Sequence, residues 1–216
     1  MAKDNFKKTG SGFDPNKDKI AITIPKFTLL KSSDNAFDRY NEPYIVSLAV
    51  DANGGGPSNI DFSALPFPKV ARGGTVEMFG DGHLVYGPKN PGEFVAISIL
   101  VMESDKEIRE LGQAIEGIVQ SKAVALGMNA VIAANPGAFG ILGILKELTQ
   151  LVSGMLQKNG DDELFRTEGS FLRGHSRPYH INEGYTREND SVRLNLKVIP
   201  LQVSDGFGPT PKAISI

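Results

Sequence analysis

Two groups of side chains in this chain are of the right type to do chemistry. The first is acidic. Glu103 and Asp105 follow directly on the apolar run Phe94–Met102, in EFVAISILVMESD. Glu42 stands immediately before Pro43-Tyr44-Ile45-Val46, and Asp34 and Asp38 lie in the polar stretch KSSDNAFDRYN ahead of it. Hard cations such as calcium take several oxygen ligands, and carboxylates on separate loops supply them when a scaffold gathers those loops at one end. The second group is RGHSRPYH, with His175 and His180 set among Arg173 and Arg177, and Arg187 further on. Two imidazoles can ligate a metal, and guanidinium groups take anions. Each group also has a plain reading: solvated loop acids, with Asp105 as a helix cap, and an exposed polar loop around the histidines.

Other chemistry is excluded more firmly. The chain has 216 residues, a formal net charge of −2 and no cysteine. Disulfides, thiolate metal sites and a cysteine nucleophile are therefore ruled out, and nothing electrostatic argues for nucleic acid. There is no Gly-x-Ser-x-Gly elbow, no His-Glu-x-x-His and no nucleotide fingerprint. The glycines at 54–56 and Gly80-Asp81-Gly82 precede no helix, so neither is a phosphate loop. The expectation is a protein that is not an enzyme.

The elements that must position these residues are mostly strands. Lys19–Leu30 reads as a strand in which Pro25 implies an edge or a bulge. Pro43–Asp51 is a second strand, Asn53–Pro57 a glycine turn, and Asp61–Arg72 a loop or short edge strand. Thr75–Phe79 and His83–Tyr86 flank Gly80-Asp81-Gly82 as a hairpin, and Gly87–Gly92 is another turn. Leu164–Leu172, Tyr179–Ile181 and Val192–Val203 complete the strands. Val192, Leu194, Leu196 and Val198 alternate with Arg193, Asn195 and Lys197, as a half-buried strand requires. Short strands parted by Gly/Pro turns predict a mainly β protein, an antiparallel β-sandwich.

Between strands lies an inserted α-helical hairpin, at about 105–158. Ile108, Leu111, Ile115 and Ile118/Val119 recur at helical spacing, and a second helix runs from about Phe139 to Lys158 after the break at Asn135-Pro136-Gly137. No charged residue occurs from Ala123 to Leu145. Ile141, Leu145, Leu148, Val152 and Met155 form an apolar row that water would not tolerate uncovered. It is covered by the sandwich, by another copy of the chain, or by lipid. The ends are polar: residues 1–18 predict a flexible arm without a secretory signal, so synthesis is expected in the cytoplasm, and residues 205–216 a Gly/Pro-rich tail. The sandwich domain is then 19–204.

Taken together, the acidic motifs resemble those of the C-two domain, the calcium- and lipid-binding sandwich first described in protein kinase C. Glu42-Pro43-Tyr44-Ile45 matches its acid-Pro-Tyr-Val strand start. Glu103-Ser104-Asp105, with Glu110 and Gly112, matches its later acidic pair, and Asp38 or Asp34 stands for its first-loop acid. Two of the family's aspartates are glutamates here, one acid falls a residue early, and the family has no long helical pair at this point. The resemblance spans about Lys19–Gly112. It implies calcium held by Asp34, Asp38, Glu42, Glu103 and Asp105, and docking on a phospholipid membrane. The leading expectation from the residues is different: a structural or interaction protein that forms a homo-oligomer, or docks on a larger assembly, through its hairpin. Membrane insertion or pore formation by that hairpin is the third.

Overall fold

The computed structural model describes residues 12–31, 40–53, 60–104, 115–117, 119–122, 137–158 and 160–201. In chain order the elements are β1 (Lys19–Leu29), β2 (Tyr40–Asn41), β3 (Pro43–Asp51), β4 (Asp61–Pro66), β5 (Val70–Ala71), β6 (Thr75–Glu77), β7 (His83–Lys89) and β8 (Phe94–Glu103). Then come helix α1 (Gly137–Lys158), β9 (Asp162–Leu172), β10 (Gly184–Glu188) and β11 (Val192–Leu201). One sheet runs β10-β11-β1, with β6 and β7 both against the far side of β1; the other runs β4-β3-β8-β9. Every pairing is antiparallel. This is the expected sandwich, and β2 with β5 adds a two-stranded ribbon.

The core follows from the period of two. Val192, Leu194, Leu196 and Val198 of β11 turn inward with Ile20, Ile22 and Ile24 of β1. They meet Ile45, Val95, Ile97 and Ile99 of the other sheet in one buried cluster. Strands β3 and β8 do not alternate in sequence, because both of their faces are covered. Their second face (Tyr44, Val46, Leu48, Leu100 and Met102) packs under α1, whose Ile141, Leu145, Leu148, Val152 and Leu156 complete a second cluster. A strand buried on both sides reads as an unbroken apolar run, and β3 and β8 are buried along their whole length. Residues 115–117 and 119–122 are also helical, and Ile115 and Val119 join the same cluster.

Helix α1 begins at Gly137, in the left-handed region at φ 74°. It ends with Lys158 in the last turn, where a cation suits the helix dipole. Beyond it Gly160 takes φ 101°, and the Asp161 N–H returns to the Leu156 carbonyl at 3.2 Å, a glycine-terminated stop. Residues 105–114, 118 and 123–136 of the expected hairpin lie outside the described residues.

Of the two readings of Pro25, edge or bulge, the bulge holds: β1 is central, and its register with β11 shifts between Thr23 and Lys26. Two local expectations are corrected. Gly80-Asp81-Gly82 is not a hairpin turn. β6 and β7 run in the same direction along β1, pairing with Lys26–Thr28 and Ile20–Ile24 respectively. The glycine segment is the loop that steps between them where Pro25 interrupts the ladder. Gly82 is required there, since it has φ 106° and a Cβ would stand 2.5 Å from the Ile24 carbonyl oxygen. Finally, Tyr179–Ile181 is no strand. Pro178–His180 is a single helical turn with Tyr179 at φ 51°, and the edge position falls to β10.

Residues 12–18, assigned by sequence to the arm, pack on the sandwich. Phe13 meets Tyr179 edge-on at 6.3 Å, and the Tyr179 hydroxyl donates to the Pro15 and Gly92 carbonyls at 3.1 and 2.5 Å. Burial pushes that phenol up to about 12. Residues 1–11 and 202–216 lie outside the described part.

Candidate functional site

Of the five expected calcium ligands, Asp34, Asp38 and Asp105 lie outside the described residues. Glu42 and Glu103 are brought to the same end of neighbouring strands, because Pro43 pairs with Glu103 and the Ser104 N–H donates to the Glu42 carbonyl at 3.2 Å. Glu42 is half-exposed with Lys69 at 3.9 Å, whereas Glu103 is buried. Asp161 sits at this end too. It is buried and accepts the Tyr44 hydroxyl at 2.8 Å. Burial, then the Asp161 carboxylate, drives the Tyr44 pKa far up, so this phenol stays a proton donor. Among the described residues no group of three or more His, Asp or Glu converges as a cation would need.

The RGHSRPYH stretch folds on itself. The His175 and His180 rings stack, with centroids 3.8 Å apart. His180 Nδ1 lies 2.9 Å from Glu183, which also accepts the Tyr185 hydroxyl at 2.7 Å and pairs with Arg177 at 3.0 Å. The hydrogen bonds from Tyr185 and then His180 hold the Glu183 carboxyl below its ordinary range. Arg173 pairs with Glu93. Two of the three arginines noted in the sequence are therefore matched by acids. Arg187 is not: it lies 5.9 Å over the Tyr185 ring and has no carboxylate partner among the described residues.

Arg187 borders the feature that sequence did not single out. Strands β9 and β10 end their sheets on the same side of the sandwich, and among the described residues no strand pairs with the outer edge of either. Between them is a cleft of about 210 Å³, with Ile97, Phe171 and Leu196 as its apolar lining and Thr167, Glu168, Ser170, His180, Tyr185 and Arg187 as its polar one. Asn189 closes one end by donating to the Leu164 carbonyl at 2.9 Å. The cleft exists because Gly169, which pairs with Ile97, occupies an inward position of β9. A glycine inside a strand is the signal that could have found it, since such a residue often marks close approach by a ligand or another backbone. On the opposite side of the sandwich a cleft of about 370 Å³ lies between β4 and β7, and polar groups bridge the sheets beside it: Tyr86 donates to Asp51 at 2.8 Å, and Lys89 bridges Asp51 and Asp61 at 3.0 and 3.1 Å.

The expected interface row is placed differently from the expectation. Ile141, Leu145, Leu148 and Val152 are at most 1% exposed, all against the chain's own β3 and β8, and Met155 is half-buried beside them. The sheet supplies a second apolar face, so the row needs neither another copy nor lipid to cover it. The outer face of α1 leaves Phe139 and Leu151 exposed. By length and composition α1 could cross a bilayer, but the side chains that would face lipid are those packed on the sheet.

No family model matches this chain, and neither does any curated protein. Among solved structures it is similar to human GIVD cytosolic phospholipase A2 in complex with methyl gamma-linolenyl fluorophosphonate, with and without terbium chloride. The TM-score is 0.35 and the identity 8% in both, covering 87% of this chain in one and 88% in the other. The chain spans 18% of the phospholipase chain's length. The likeness is a weak one of fold.

Proposed function

We propose that this chain works by binding rather than by catalysis: it is an interaction module that docks a partner along the free edge of β9. One observation carries the reading. Ten of the eleven residues of β9 pair with β8 on one side, Phe94–Glu103 against Asp162–Leu172, while its other edge has no strand among the described residues. A long unpaired edge presents a row of N–H and C=O groups, and native proteins either blunt such an edge or use it to add a strand. On the opposite side of the sandwich the Tyr86–Asp51–Lys89 network ties β7 to β3 across the cleft of about 370 Å³ beside β4; on the β9 side only the Asn189 side chain reaches the outer edge of β9 among the hydrogen bonds of the described residues. With its apolar row turned inward, the hairpin serves this module as the layer that covers the back of β3 and β8, and assembly through the hairpin becomes assembly through the sheet edge. Selection from a displayed library of random peptides, followed by amide hydrogen exchange, tests the reading. Selected peptides should slow exchange of amides within residues 165–171. No binders, or protection confined to other surfaces, would sink it.

A second reading, calcium-dependent docking on phospholipid, is favoured by the register that sets Glu42 and Glu103 at one strand end. A cation bound only by the folded state raises its melting temperature. Calcium at millimolar concentration should then raise the melting temperature of the wild type and not of a Glu42→Gln, Glu103→Gln double variant. Equal curves with calcium and with chelator would remove this reading.

A further inference from the structure

Gly169 has no backbone reason to be glycine. It is absent from the residues at positive φ, and a Cβ built on it meets nothing within 4 Å. A glycine in a strand interior costs stability relative to a residue with a side chain, yet here it stands on the inward row between Thr167 and Phe171. What its missing side chain leaves is the cleft of about 210 Å³ between β9 and β10, and that cleft opens along the edge available for pairing. A strand laid on β9 sends every second side chain toward the space between the sheets. One of those side chains enters at Gly169, where Ile97, Phe171 and Leu196 offer an apolar floor. Its inward neighbour, two residues away, passes the Arg187 guanidinium, which is in no ion pair among the described residues; Glu168 also lines the cleft, but its register with Ser98 sets its side chain on the other face of β9.

We infer that β9 accepts an extended peptide that seats one large apolar side chain in the cleft at Gly169 and sets an acidic side chain against Arg187. This rests on the edge-docking reading above and adds to it the partner's chemistry. The charge complement is specific to this cation, because Arg173 and Arg177 already hold Glu93 and Glu183. The free edge alone would take any extended chain; the cleft selects for side chain.

The test uses the display-selected peptides, synthesised and titrated calorimetrically against the wild type, Gly169→Leu and Arg187→Gln. Selected sequences should place an acid two positions from an aliphatic or aromatic residue. Gly169→Leu fills the cleft, should melt at or above the wild type, and should bind at least about thirtyfold more weakly, the scale of losing a buried anchor. Arg187→Gln should lose about tenfold, as a charge-assisted contact does, with a smaller loss at high salt. If Gly169→Leu does not fold, Gly169→Val carries the same test with a side chain suited to strands. Peptides that protect residues 165–171 yet bind the filled variant as tightly as the wild type overturn this inference and leave edge docking standing. Absence of any such protection removes both.

Discussion

His83 is held where its charge is unwelcome. It opens β7 opposite Ile24, and its Nε2 lies 2.8 Å from the Ser63 hydroxyl of β4 in the other sheet. Burial lowers the imidazole pKa from 6.5. Protonation is then easier in the unfolded chain than in the folded one, so the stability that goes with the neutral ring is complete above pH 6.5. It is lost as pH falls through the lowered native value. The expected outcome is a urea midpoint that drops between about pH 6.5 and pH 5 in the wild type and drops less in His83→Gln. Glu183 does not obscure the comparison, because its own lowered carboxyl pKa places its titration below 4.5. Parallel curves for the two proteins would show that this imidazole is not what titrates.

At the level of elements, the helix and the strand edges divide what the sequence could say from what it could not. The row of α1 was legible, since Ile141, Leu145, Leu148 and Val152 recur at helical spacing. Its partner was not, because an apolar row states that something must cover it and never what. The covering face was hidden in β3 and β8, whose second apolar side is masked by the first in an unbroken run. β11 showed its inward face plainly, being exposed on the other. β10 was missed for the converse reason: GYTRE is a polar edge with one face on the core and little apolar pattern to declare it. The acids at 42 and 103 were legible as strand-end neighbours through the Pro-Tyr start of β3. The cleft was not, because it is made by an absent side chain and by two edges distant in sequence. The packing of α1 is open to direct test. Leu148→Ala should lower stability by about 2–5 kcal/mol, as buried leucine truncations do, with the molar mass in light scattering unchanged. A fall in mass with stability kept would place the row in an interface after all.

At the scale of the whole molecule, the two apolar clusters share a wall. Alternate residues of β3 and β8 belong to different clusters: Ile45, Val95, Ile97 and Ile99 to the sandwich, and Tyr44, Val46, Leu48 and Leu100 to the helix side. Neither cluster can open without exposing strands that the other needs. α1 stripped from the sheet would leave Leu48 and Leu100 in water, each of the size whose burial is worth about 1.5–3 kcal/mol. A separated sandwich would leave the same two strands without their second sheet. The three layers should therefore unfold as one cooperative unit, as single domains of similar build do. The chain offers good reporters, since it has no tryptophan and its buried tyrosines lie in both clusters, Tyr44 under the helix and Tyr86 and Tyr179 within the sandwich. Far-ultraviolet circular dichroism and tyrosine fluorescence should trace one urea transition. Leu148→Ala in the helix-side cluster and Ile22→Val in the sandwich should each move both signals together. A helix signal lost ahead of the tyrosine signal would mean that α1 detaches while the sandwich stands, and that β3 and β8 tolerate exposure on one face.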